Sequence, residues 1–265
     1  MTAPIPRDMP DLPAVPGMPA FLRSPVPARA VVAPARHPMA AVYRVLVVLT
    51  AAAAVTIEVL LSSPIRALSH FSIQSTILLA MVFLLSARRA WTARHPLPSS
   101  VTGAALLYTT ITALVYHLLL ANAASPFPLT GAAANPTGWH AVTTHLLNTV
   151  IPAAALADWL LLTAPGRLHL RQAASWLLYP MAYLLFSFTR GELIPPGTGG
   201  RYLYPFLDVD LHGYKNVLGN ALLLGLSFYA LAILLIALDH ARPNPLRHRA
   251  HHRAKTGFRL QPPVG

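Results

Sequence analysis

The chain has 265 residues, 55% of them hydrophobic and only 11% charged, which leaves too little polar surface for a soluble fold of this length. Its formal net charge of +12 is not a nucleic-acid signature, because the cations lie mostly in tails and loops outside long apolar runs. The absence of cysteine excludes disulfides, thiol nucleophiles and Cys-ligated metals.

Residues 1–39 contain ten prolines, and Pro10, Pro13, Pro16 and Pro19 recur every third residue. That spacing suits polyproline II, and the composition predicts a disordered, partly extended cytoplasmic tail, with a ligand for a proline-binding module as the alternative. No apolar core of signal-peptide length occurs in this stretch, so the first apolar run is expected to act as an uncleaved targeting signal.

Six apolar runs follow, at roughly 40–62, 72–88, 101–121, 140–163, 172–189 and 216–238. Each has the ~17–25 residues that cross a ~30 Å hydrocarbon core. Backbone groups in lipid must bond within their own segment, and the runs are too long for barrel strands, so helices are expected. The fold class is therefore all-α: a polytopic six-helix transmembrane domain over 40–240, between the Pro-rich tail 1–39 and a basic tail 241–265.

Helix 1 carries a small-residue face, with Ala51, Ala54 and Glu58 at helical spacing, and small residues let helices approach closely. Pro64 ends the connection to helix 2, which opens near Ser72. Gly103 and the Thr109, Thr110, Thr112 cluster lie on helix 3, and the loop 122–139 is uncharged and rich in Pro and Gly. Pro152 is expected to kink helix 4. Helix 5 contains Pro180 and an aromatic stripe of Trp176, Tyr179, Tyr183 and Phe186, read as packing surface. Tyr202, Tyr204 and Tyr214 suit a membrane interface. In the C-terminal tail, His248, His251 and His252 stand among arginines, read as a solvated tail touching anionic lipid rather than a metal site.

Sixteen of the twenty Lys and Arg residues fall in the two tails, at the start of helix 1, and after helices 2 and 4; only Arg66, Arg190, Arg201 and Lys215 fall on the other side. The positive-inside bias then puts both termini on the cytoplasmic side of the membrane.

With that topology, polar residues collect at the outer ends of the helices. They are Glu58, Ser72, Ser75, Thr76, His117, His145, Asn148, Arg190, Asn216 and Asn220. Ser72, Ser75 and Thr76 stand at i, i+3, i+4; His145, Asn148 and Pro152 at i, i+3, i+7; Asn216 and Asn220 at i, i+4. Such spacings share a helix face. Polar groups in a bilayer are costly without partners or a function, so a cavity open to the outer leaflet is the economical reading. Each also has a bland alternative: hydroxyls bonding back to the preceding turn, asparagines gluing helix 6, Glu58 pairing with Arg66. Asp158 is read as structural, pairing with Arg167 or Arg171.

The stretch Phe71-Ser72-Ile73-Gln74-Ser75-Thr76, the order His145, Pro152, Asp158-Trp159, and the segment Tyr204 to Asp210 leading through Gly213-Tyr214 to Asn220 resemble the bacterial six-helix "Pr-six-Pr" membrane proteins over roughly residues 40–240. That family is distantly similar to the eukaryotic androgen-induced membrane proteins, members of which hydrolyse fatty acid esters of hydroxy fatty acids with a helix 2 threonine and a helix 4 histidine. Carried over, the histidine is His145 and the hydroxyl falls on Ser72, with Ser75 or Thr76 as the other candidates. The resemblance implies a lipid-like small-molecule substrate, with Ser72, Thr76 and His145 catalytic. A histidine can take the proton of a weak hydroxyl nucleophile. Gln74, Ser75, His117, Asn148, Arg190, Asn216, Asn220 and Glu58 are candidate substrate-binding groups.

No cofactor, metal or nucleic-acid partner is expected; the bilayer itself is the expected partner, and nothing in the residues sets an oligomeric state. Three competing readings stay open. His117 and His145 could be paired axial ligands of a haem. The polar layer could serve a small transporter, although transporter sites usually lie near the midplane. The polar groups could also be helix–helix glue with no chemistry.

Overall fold

The structure is a computed structural model, and it describes residues 36–127, 129, 133–198 and 200–243. The Pro-rich tail, with Pro10 to Pro19, and the basic tail beyond residue 243, with its three histidines, lie outside the described residues. No strand occurs among the described residues.

Five helices are long and apolar enough to cross a membrane: α1 (Pro38–Leu61), α3 (Phe71–Trp91), α4 (Ser99–Leu120), α5 (Gly138–Leu162) and α8 (Val209–Ala241). A short α2 (Pro64–Ser69) joins α1 to α3. The fifth apolar run is not one continuous helix: it forms α6 (Leu170–Trp176) and α7 (Leu178–Leu193), broken at Leu177. Pro180 explains the break, since its ring nitrogen has no hydrogen for the Trp176 carbonyl one turn back. That carbonyl instead accepts the Tyr108 hydroxyl at 2.9 Å, so no buried acceptor is stranded.

α1 packs most extensively along α3, and Ala51 (1% exposed) and Ala54 (0%) are buried in the core that the helices share. Their single methyl groups allow the two backbones to close, as the small-residue face predicts. α4 packs on α3 and α5, and α5 returns to α1. The π-helical turn Leu146–Val150 of α5 also touches α3, so the second and fourth apolar runs do meet. α5 absorbs Pro152 by two π turns, Leu146–Val150 and Asp158–Leu162, while its backbone stays helical. At Gly103 a side chain is impossible without movement, because an added Cβ would lie 2.4 Å from the Trp176 ring; this is where α6 presses on α4.

α8 is capped by Asp208, whose carboxylate accepts the backbone N–H groups of Asp210 (3.0 Å) and Leu211 (3.2 Å). It breaks once at Gly213, whose φ of 73° favours glycine. The aromatic stripe packs as expected over Trp176, Tyr179 and Tyr183, around Phe71 and Tyr108, whereas Phe186 is exposed.

The contacts sort the bundle into two ends. At one end the His37 N–H bonds the Ala90 carbonyl (3.0 Å), the Gly166 N–H bonds the Asp239 carbonyl (3.0 Å), and Gln172 reaches Ser99 (3.0 Å). There too Arg44 pairs bidentately with Asp158, at 2.8 and 3.1 Å. Asp158 thus takes its cation from α1, not from Arg167 or Arg171 in the loop that follows it. Asp239 is buried beside it, accepting from the Trp159 indole (3.1 Å) and the backbone of Arg167 (2.7 Å) and Leu168 (2.9 Å), and pairing with Arg242. At the opposite end Glu58 meets Thr143, His117 meets Thr149, and Tyr183 meets Ser69.

Candidate functional site

A cavity of about 670 Å³ opens at this second end. α1, α2 and α3 supply its polar side: Glu58, Ser62, Arg66, His70 and Ser72. α5 adds His140, Thr144 and Asn148, and the loop before α8 adds Tyr204. Apolar side chains from α4, α7 and α8, among them Ile111, Val115, Leu184, Leu224 and Phe228, line the rest. Volume and lining both match ligand pockets, which are mostly apolar with a few convergent polar groups.

The centre of the polar side is Glu58. Its Oε2 accepts the Thr143 hydroxyl at 2.6 Å and its Oε1 the Ser62 hydroxyl at 3.3 Å, while His140 Nδ1 lies 3.6 Å away. No bond joins it to Arg66. The Arg66 guanidinium lies against Gly200 and has no ion-pair or hydrogen-bond partner among the described residues. His70, between α2 and α3, stacks edge-on to Tyr204 at 6.0 Å. Burial, with the charges of Arg66 and Arg190 adding to it against Glu58, holds its pKa down at about 4. His70 is thus a neutral imidazole at physiological pH. Burial also pushes the Tyr204 phenol up to about 12, so it remains a hydroxyl beside Ser72 and Tyr183. Tyr204 therefore faces inward, whereas Tyr214 is exposed and donates to Glu192.

Of the residues the sequence offers as catalytic or substrate-binding, Glu58, Ser72 and Asn148 line the cavity. The others do not. Gln74 is held by the Tyr179 hydroxyl (2.9 Å) and by the Leu68 carbonyl (2.9 Å). Ser75 is fully buried between the Ser72 carbonyl (3.1 Å) and the Thr112 hydroxyl (3.0 Å), as helix–helix glue. Thr76 is buried at 1% exposure. His117 is exposed and shares a hydrogen bond with the Thr149 hydroxyl (2.9 Å). Arg190 donates to the carbonyls of Gly200 (3.1 Å) and Arg201 (2.8 Å), bracing the loop above the cavity. Asn216 is exposed and bonds back to the His212 carbonyl (2.9 Å), while Asn220 reaches the Phe206 carbonyl (3.5 Å).

His145 is exposed on α5 and does not line the cavity. The physical reason is the π turn that starts at Leu146, immediately after it. A π turn adds a residue to the helical repeat, so the i, i+3 alignment of His145 with Asn148 fails there. The face that looks inward instead reads His140, Thr144, Asn148, at i, i+4, i+8, a spacing present in the sequence but masked by the more central His145.

Ser62 and His70 carry no signal in the sequence, and Arg66 stands out there only as a partner for Glu58, because the α1–α3 connection looks like an ordinary interfacial loop. Among the described residues no group of three or more His, Asp or Glu side chains could hold a metal ion. No protein-family profile, curated protein or solved structure matches the chain.

Proposed function

We propose that this chain is a six-span inner-membrane protein of the Pr-six-Pr kind, with both termini cytoplasmic, whose outer cavity binds a lipid-like amphiphile. The carrying observation is the two-sided lining of the cavity. Glu58, Arg66, His70 and His140 stand at one side, and an apolar limb between α4, α7 and α8 at the other. A head group and an acyl chain need those two surfaces together.

Six crossings are supported by parity. Residues 37 and 239 lie at the same end of the bundle, which requires an even number of passages, and five long helices alone would put them at opposite ends. The pair α6–α7 supplies the sixth: Gln172 touches Ser99 at the first end, and Tyr183 touches Ser69 at the second. The sixteen-to-four division of cations then supports the cytoplasmic assignment of the first end.

The test is equilibrium binding of a long-chain fatty acid ester to the purified, delipidated protein, compared with Gly225→Leu. Gly225 lines the cavity and an added Cβ there meets nothing within 4 Å, so the larger side chain fills the apolar limb without disturbing the helix. Binding by the native chain that is lost in Gly225→Leu supports the reading; equal binding by both, or none by either, rejects it.

A second reading, hydrolysis of the bound ester, is favoured by one observation: Ser72 lines the cavity. Its proton acceptor would come from the histidines that line the same cavity, His70 and His140, the latter with Glu58 3.6 Å from its Nδ1. Labelling by a fluorophosphonate that survives Ser72→Ala, or that requires His145 and neither His70 nor His140, sinks this version.

A further inference from the structure

At the end of the bundle that carries residues 37 and 239, a second groove of about 450 Å³ runs between α1 and α3. Its floor is Ala41 at 2% exposure and Ala87 at 3%. Its walls are Val42, Val45 and Leu46 from α1 and Leu84 and Trp91 from α3, all exposed. The groove exists because two methyl side chains face each other where the helices close, while larger neighbours stand out on both sides. It faces outward from the bundle, so hydrocarbon chains of the bilayer reach it directly.

The rim is cationic. Arg88 lines the groove, and its guanidinium has no ion pair or hydrogen bond among the described residues. The His37–Ala90 backbone bond brings Arg36 to the same rim, and Arg89 follows Arg88, donating to the His95 carbonyl at 3.4 Å. Between residues 36 and 157 the chain has a single acidic residue, Glu58, which lies at the opposite end. The acids at this end, Asp158 and Asp239, are already taken by Arg44 and Arg242. Trp91, 58% exposed, sits at the level where tryptophan ordinarily meets lipid head groups.

We infer that this groove is a binding site for an anionic phospholipid. One acyl chain lies over Ala41 and Ala87, and the phosphate is held by Arg88 with Arg89 and Arg36 around it. Arginine suits that role because its planar fork donates two bonds to phosphate oxygens, and basic pockets between membrane helices bind acidic head groups. The site is separate from the cavity and does not depend on the function proposed for it.

The test uses the full chain in vesicles of phosphatidylcholine doped with brominated phosphatidylglycerol or with brominated phosphatidylcholine of the same acyl chains. Bromine quenches tryptophan on contact, and Trp91 is the groove's own reporter. Each arginine at a membrane surface contributes about fivefold in affinity. Three arginines give an expected preference for phosphatidylglycerol of about 125-fold at Trp91, absent from the signal in Trp91→Phe, reduced about fivefold in Arg88→Gln and to roughly fivefold overall in Arg88→Gln/Arg89→Gln. Lys215→Gln, at the other end, should leave it unchanged. Equal quenching by the two lipids, a preference that persists in Trp91→Phe, or one unmoved by loss of both arginines overturns the proposal.

Discussion

Replacing Asp158 by Asn tests how the first end of the bundle is held. The Arg44 guanidinium and the Asp158 carboxylate are 11% and 7% exposed and make two parallel bonds. The Thr163 hydroxyl adds a third contact to Asp158 Oδ2 at 3.2 Å, and Tyr43 one residue before Arg44 bonds the Ala154 carbonyl at 2.9 Å. α1 and α5 are therefore joined by one buried ionic seam. Asp158→Asn is nearly isosteric, so packing is kept and only the charge is lost. A buried cation left without its partner costs about 3–5 kcal/mol. Removing both charges, in Arg44→Met/Asp158→Leu, leaves no uncompensated ion, and such swaps are commonly close to neutral. Reversible unfolding in mixed micelles measures Asp158→Asn, the double variant and its singles Arg44→Met and Asp158→Leu, and the double-mutant cycle isolates the pair. A loss under about 0.5 kcal/mol in Asp158→Asn, or a double variant as unstable as the sum of its singles, refutes the reasoning.

Three further outcomes are expected. His70 is held neutral, with a folded pKa of about 4 against an ordinary 6.5; its contribution is fully present above pH 6.5 and is lost as pH falls toward 4. On the order of 3 kcal/mol is at stake, read as a fall in melting temperature over that window that His70→Gln flattens. Gly103→Ala forces the buried Trp176 ring to move and should cost roughly 1–3 kcal/mol by overpacking, checked by thermal unfolding. Tyr108→Phe strands the Trp176 carbonyl that Pro180 leaves free and should cost roughly 1–3 kcal/mol, again by unfolding, with Pro180→Ala partly restoring it.

The helices were legible because apolar runs of membrane length allow few alternatives. The runs at 72–88 and 140–163 became α3 and α5 within a few residues of their expected bounds, and α8 runs past the expected 216–238 at both ends. The break at Leu177 was signalled by Pro180, but the Tyr108 hydroxyl that repairs it comes from a helix 68 residues away in sequence, and no local pattern carries that. The Arg44–Asp158 pair was missed for a similar reason: Arg44 counts as one more cation near a membrane edge until the packing of α1 on α5 encloses it. Glu58, Ser72 and Asn148 were found because polar groups inside apolar runs are conspicuous. His140 was not, because the inward face of α5 depends on a π turn that the sequence does not announce.

The proposed cavity faces outward and admits a lipid-like molecule. The chain has no cysteine, so single cysteines report cleanly. In intact cells a membrane-impermeant maleimide should label Thr144→Cys, in the cavity, but not Thr92→Cys, at the other end, and a long-chain lipid ester should protect Thr144→Cys in proportion to its concentration. Labelling of Thr144→Cys only after lysis, or labelling that the ester does not reduce, contradicts the claim.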